Sequence, residues 1–195
     1  MKSMILFIVT VLTGISSFGQ QWTAGQLDSA NTAKEISYLT DVEKSAIQYI
    51  NLARLYPQLF TRNELENYTG TARYGEYLKN STYKKSLLKE LKTREPVKAL
   101  LFDKSMYDLA TCFAKETGDA GKVTHKRKKC PYGYLAECCS YGMDTGKDIA
   151  MQWLIDDQTA DLGHRINCLN KDYSLIGIAV RNHKVYTTCA VADFR

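Results

Sequence analysis

The chain has no CxxC pair, no CxxH spacing, no internal repeat and no low-complexity tract. Without those cysteine and histidine spacings a structural zinc knuckle has no support. No recognisable nucleic-acid-binding motif is present either. Only one long apolar run occurs, Met4 to Leu12. A spanning helix needs about 20 residues, so this run is too short to cross a membrane. An obvious nucleophile is also missing, because Ser140 and Cys138 have no base and orienting acid evident beside them in sequence.

What the chain does have begins at its N-terminus. Lys2 supplies a positive region before the apolar run, and Ser17-Phe18-Gly19 places small residues at the positions a signal peptidase reads. Residues 1–19 therefore read as a secretory signal peptide, and the mature protein as secreted, periplasmic or extracellular. No cysteine follows the cleavage point, which argues against a lipid anchor there. Removal of residues 1–19 leaves 176 of 195 residues, the size of one domain.

Export makes disulfides the default for Cys112, Cys130, Cys138, Cys139, Cys168 and Cys189. Six cysteines allow fifteen pairings, and sequence does not choose among them. Cys138 and Cys139 are adjacent, so in an extended strand they point to opposite faces and take different partners. The net charge is +5, and loss of Lys2 leaves +4. The basic residues concentrate in Lys122 to Lys129. That run reads as a solvated basic loop, and export disfavours nucleic acid as its partner.

Residues 20–40 are polar and aperiodic and read as a leader lying against the domain or left loose. Helical spacing starts at Asp41 with Val42, Ala46, Tyr49, Ile50 and Ala53, and Tyr56-Pro57 ends it. Thr40 or Asp41 is its expected N-cap. Leu59 to Tyr77 reads as short helix plus loop. Further helices are expected over 82–93, 103–117 and 144–158, the third of these carrying Trp153 inward. Leu175–Val180 and Val185–Val191 read as two strands of a terminal hairpin joined by residues 181–184. Helices followed by a hairpin indicate an α+β layered domain.

The chemistry concentrates between Ala136 and Asn170, where Glu137, Asp156, Asp157, His164 and Arg165 accompany three cysteines. Asp156 and Asp157 lie three and four residues beyond Trp153, so either can share its face. Two histidines, His125 and His164, with Glu137 and one aspartate can hold a divalent cation, zinc being favoured by imidazole nitrogen. The same set suits general acid–base work. A polar network that only satisfies buried donors is the competing reading.

Several segments in order resemble the CAP superfamily (cysteine-rich secretory protein, antigen 5 and pathogenesis-related 1; the SCP-like extracellular domain), in particular its compact bacterial exported members. Ile50-Asn51-Leu52-Ala53-Arg54 with Pro57 resembles the family's opening helix, and Leu101-Phe102-Asp103 the segment leading to its first histidine, here His125. Ala136-Glu137-Cys138 is similar to its Glu-Asn motif, Trp153 with Asp156 to its Trp-x-x-acid helix, and Gly163-His164-Arg165-Ile166-Asn167 to its second histidine motif. Ile176-Gly177-Ile178-Ala179 to Phe194 resembles its closing hairpin. The resemblance covers 41–195. It implies a three-layer α-β-α sandwich on a central antiparallel sheet, whose missing strands are expected between Val123 and Tyr141.

It also implies a cleft tetrad of His125, Glu137, Asp156 and His164 that binds a divalent cation, with Asp157 as a substitute acid. Cys138 stands where the family has asparagine, and Asp156 where it commonly has glutamate. Two functions follow. One is an exported binding module with a cation site and a groove for a lipid or an extracellular protein. The alternative is a hydrolase of peptide or ester bonds, with Glu137 as base beside His164.

Overall fold

Thr40 and Glu43 fix where the first long helix starts. The Thr40 hydroxyl accepts from the Glu43 amide, and the Glu43 carboxylate accepts from the Thr40 amide, a reciprocal cap on α2 (Asp41–Leu55). The computed structural model describes residues 21–195, so the signal-peptide reading of 1–19 lies outside the described residues. In chain order the other helices are α1 (Ala24–Ala30), α3 (Pro57–Phe60), α4 (Thr82–Thr93), α5 (Lys104–Ala120), α6 (Gly146–Ile155) and α7 (Gly163–Leu169). A π-helical turn, Thr61–Leu65, continues α3. The strands are β1 (Leu101–Phe102), β2 (Ala136–Tyr141), β3 (Leu175–His183) and β4 (Thr187–Phe194).

The sheet order is β1-β3-β4-β2. β2 and β3 both pair antiparallel with β4, whereas β1 pairs parallel with β3. The sheet is therefore mixed, not wholly antiparallel. One missing strand, β2, falls where the sequence places it, but β1 lies well before that region. It is only two residues long, too short for period-two alternation to register in sequence. The hairpin strands run further than expected, and their connection is Lys184-Val185-Tyr186.

Side-chain alternation makes three layers. Ile176, Ile178, Ala190, Ala192, Phe194 and Cys138 face α2, α6 and α7 in the larger core. Ala179, Val191, Cys139 and Cys189 face α5 through Ala110, Phe113 and Ala114. The α5–β3 approach is close at Gly177, where an added Cβ would lie 2.0 Å from the Tyr107 amide nitrogen. Helix α5 also runs past Gly118, the expected stop, and ends at Gly121, whose φ of 64° makes the left-handed cap.

The segment read as a leader belongs to the packed structure. Its helix α1 carries its own capping box, Thr23 with Gln26. Asn51 donates to the Ala30 carbonyl at 3.0 Å, and Trp22 donates to Glu64 at 2.6 Å. Of the six cysteines, Cys112 and Cys130 are joined, tying α5 to the loop before β2. Cys138, Cys139, Cys168 and Cys189 are buried free thiols. The expectation of a fully paired set is thus met at one bridge.

Candidate functional site

Strand β2 carries Glu137 on its α5 side, directly opposite Asp193 of β4. Two buried carboxylates at that spacing repel unless a cation sits between them. Arg127 is that cation. Its Nη2 donates to both Asp193 oxygens at 2.9 and 2.8 Å and also to Glu137 Oε2, which its Nε reaches at 3.1 Å. The guanidinium lies 4.4 Å from the Tyr134 ring centre and 4.7 Å from that of Phe113. Burial pushes the Asp193 carboxyl up to about 7; the Arg127 charge and hydrogen bonds oppose this, and Glu137 adds to it. The basic run is therefore not a uniformly solvated loop, since Arg127 is buried beneath the site.

The other Glu137 oxygen, Oε1, meets His125 Nδ1 at 2.8 Å. A carboxylate only accepts, so Nδ1 carries the proton and the neutral ring has its lone pair at Nε2. That hydrogen bond raises the His125 pKa above its ordinary value, against burial and the nearby Arg127 charge.

A second histidine–acid pair is built by the turn between α6 and α7. Asp156 is the C-cap of α6 in a left-handed conformation, φ 55°, and Gln158 and Leu162 are also left-handed, at 62° and 54°. Such backbone costs of order 1–3 kcal/mol each for a non-glycine residue and persists only where the surroundings enforce it. Here Asp156 Oδ2 accepts the His164 amide at 2.9 Å, while Oδ1 meets His164 Nδ1 at 2.7 Å. Burial would raise the Asp156 pKa, but the His164 hydrogen bond and charge, with backbone donors, hold it below the usual carboxylate range. Asp157 instead meets the Ser81 hydroxyl at the start of α4, at 2.5 Å. Arg165 turns away from the cleft and caps the last α6 carbonyls, Leu154 at 2.9 Å and Ile155 at 2.7 Å.

The two pairs face each other across one cleft of about 420 Å³. The His125 and His164 ring centres are 6.3 Å apart. Cys139, on the same face of β2 as Glu137, brings its sulfur to 3.7 Å from His125 Nδ1 and 3.9 Å from Glu137 Oε1. Donor atoms of His125, Glu137 and Cys139 all lie within 4.8 Å of one another. Burial, then the Glu137 charge, pushes the Cys139 thiol up.

The donor set fits a divalent cation: two imidazoles oriented through Nδ1 by buried carboxylates, the usual arrangement behind metal-bound histidine, with a sulfur at hand. Gln152 Oε1 is a buried acceptor without a partner among the described residues, in a side chain lining the same cleft. The third histidine, His183, is elsewhere. Its Nδ1 accepts the Val185 and Tyr186 amides at 3.1 Å each and shapes the hairpin turn.

The structure thus brings His125, Glu137, Asp156 and His164 together as two pairs. Sequence reasoning missed three residues that hold or complete the site: Arg127, Asp193 and Cys139. Asp193 had a usable signal, an acid inside an apolar strand, Ala190-Val191-Ala192-Asp193-Phe194. Arg127 had none, hidden among four lysines between Lys122 and Lys129. Cys139 stands out in sequence only as a disulfide candidate. Helix α7 was also missed, because seven residues give too short a pattern.

Among curated proteins none gives a significant match. Among solved structures, an outer surface protein from Borrelia burgdorferi is similar at 17% identity with a TM-score of 0.41, over 50% of this chain and 77% of that one. The family model "CAP: Cysteine-rich secretory protein family" matches residues 29–194, so it takes in part of the segment first read as a leader. With that match spanning nearly the whole described chain, the protein belongs to the cysteine-rich secretory protein (CAP) family.

Proposed function

We propose that this is an exported binding module whose cleft holds one divalent cation, zinc foremost, between His125 and His164. The observation that carries it is the pairing of each imidazole, through Nδ1, with a buried carboxylate, which leaves both Nε2 atoms without a hydrogen bond among the described residues. Glu137 and Asp156 orient the rings, and Arg127 holds Glu137 in place. A bound zinc would act there as a Lewis acid. Calorimetric zinc titration of the mature protein tests the reading. Saturable binding near one equivalent, lost in a His125→Ala/His164→Ala double variant, supports it; no binding to the unaltered protein removes the cation site.

For the hydrolytic alternative, Glu137 is a poor base, since both its oxygens are engaged by His125 and Arg127. Export rests on residues 1–19 and on the Cys112–Cys130 disulfide, which suits an oxidising compartment. Among the described residues no helix is long and apolar enough to cross a membrane.

A second cavity, of about 620 Å³, suits the partner groove. Phe113 and the Cys112–Cys130 bridge line it with Lys122, Lys126, Lys128 and Lys129, which outnumber the acids Glu116 and Asp119 there. None of those four lysines makes a salt bridge among the described residues. An anionic lipid matches that charge over an apolar floor. Co-sedimentation with vesicles of anionic lipid tests this: binding that salt reverses supports it, and no binding removes the lipid, whereas an extracellular protein with an acidic face would bind without vesicle binding.

A further inference from the structure

The four free thiols are sorted by the sheet into two compartments. Cys138 and Cys168 are in the larger core, each fully buried, while Cys139 and Cys189 lie on the α5 side. The sheet itself separates the two sets, so no cross-pairing between them is open to a folded chain.

Within the α5-side set the register disfavours a bond. Cys139 sits opposite Val191, and Cys189 opposite Tyr141. That makes the two cysteines diagonal neighbours, a relation with a separation of about 7–8 Å. A disulfide needs Cβ atoms at about 3.5–4.5 Å.

The other set is different. Cys138 Sγ lies 3.7 Å from the His164 carbonyl oxygen. In α7 that carbonyl is the one a helix offers to the amide four residues on, which is Cys168. The Cys138 sulfur therefore rests against the turn that carries Cys168, on the same helix face as His164. Asn167, the residue before Cys168, also reaches it, with Nδ2 at 3.8 Å. Burial, then the Cys168 sulfur as hydrogen-bonding neighbour, pushes the Cys138 thiol well up.

We infer that Cys138 and Cys168 form a second disulfide as the exported chain folds, and that Cys139 and Cys189 remain thiols. Each thiol gives up its proton, and the sulfurs join with loss of two electrons. A disulfide-bearing oxidant, oxidised glutathione or a thiol–disulfide oxidoreductase, is cleaved to two thiols that take up both electrons and both protons. Both sulfurs are sealed from solvent in the fold, so the bond forms during folding and not by oxidation of the finished protein. Its consequence is positional. Cys138 follows Glu137 directly, and Cys168 lies one helical turn beyond His164, so the bridge staples β2 to α7 and fixes one histidine–acid pair against the other. It leaves Cys139 free to keep its sulfur beside His125 and Glu137.

The inference shares only the oxidising setting with the proposed cation site, and the two fail separately: the zinc titration reads metal, and peptide mapping reads bonds. The test refolds reduced, denatured mature protein in a glutathione redox buffer, alkylates residual thiols after denaturation, and maps peptides without reduction. Because Cys138 and Cys139 fall in one peptide, Cys139→Ala, Cys138→Ala and Cys168→Ala variants are mapped alongside. The expected result is a peptide joined to Cys168 that persists in Cys139→Ala and vanishes in Cys138→Ala and Cys168→Ala, with two alkylated cysteines in the unaltered protein. Four alkylated cysteines in the refolded protein, or a link involving Cys139 or Cys189, would overturn it.

Discussion

Arg127 has no exposed side-chain surface and lies between Glu137 and Asp193, two carboxylates opposed across β2 and β4. Removing one partner of such a buried cluster leaves uncompensated charge, which costs about 3–5 kcal/mol. Arg127→Met should lower stability by that order in denaturant titration and loosen His125 through the freed Glu137. The cluster also sets a pH dependence. Burial raises the Asp193 pKa in the fold, to about 7, above its unfolded value of about 4. A raised folded pKa means the folded state holds the proton more tightly. Its stabilisation is complete below the unfolded value and is lost as pH rises toward 7. The raised His125 pKa acts in the same sense, its contribution fading as pH rises through the folded value. The lowered Asp156 pKa works oppositely, being lost as pH falls through its folded value. Metal-free protein should therefore lose thermal stability between about pH 4 and 7, and Asp193→Asn should flatten that slope. An unchanged slope in the variant would remove Asp193 as its source. The partner of His164 gives a separate prediction. Asparagine tolerates the left-handed backbone at 156, so Asp156→Asn should fold, yet weaken zinc binding by roughly 10–100-fold in a competition titration. Unchanged affinity would show that the carboxylate does not orient the ring.

At the scale of elements, close approach decides which parts of the sequence were legible. Helix α2 announced itself because its cap and its apolar spacing agree, and α4 because Leu87, Leu88 and Leu91 make an apolar stripe that Pro96 ends. Helix α7 did not, being only seven residues, and it is the element that presents His164. The choice between Asp156 and Asp157 was equally closed to sequence, because both lie near the inward face of α6. Only the left-handed turn at Asp156 separates them, aiming one carboxylate at the α7 amides and leaving the other to Ser81. The sheet shows the same limit. β1 gains its identity from pairing with β3, through Leu101 with Leu175 and Phe102 with Ile176, and not from any pattern of its own. Where α5 crosses β3 the tolerance for change is small. Gly177→Ala would drive a methyl to 2.0 Å from the Tyr107 backbone nitrogen, so the helix must move. Overpacking of this kind costs about 1–3 kcal/mol. Because α5 also supplies Phe113 beneath Arg127, the variant should weaken zinc affinity together with stability. Loss of stability with unaltered zinc affinity would show that α5 does not help position the cleft.

For the whole molecule, the working unit begins well before α2. Sequence placed the start at 41 because polarity and absent periodicity conceal a helix that is seven residues long. The long-range contacts were not readable either, since nothing local links Asn51 to Ala30 or Trp22 to Glu64. In the fold those contacts matter. The Asn51 amide bridges the Ala30 and Leu100 carbonyls at 3.0 Å each, so the segment before α2 is joined to the one before α5. Ala30, Ala33 and Leu39 are in the larger core, with Trp22 and Ile36 packed against it. Burying one large apolar side chain contributes about 1.5–3 kcal/mol. A chain starting at 41 forfeits at least Leu39 and parts of Trp22 and Ile36, and also loses the Thr40 cap of α2. It should be less stable by at least about 3 kcal/mol than a chain starting at 21. Paired denaturant melts of the two chains check this, with zinc titration run on both. Equal stability would make residues 21–40 a passive leader after all. The expected result is a large loss of stability in the shorter chain, with zinc still bound where that chain is folded, because every cleft ligand lies beyond residue 120.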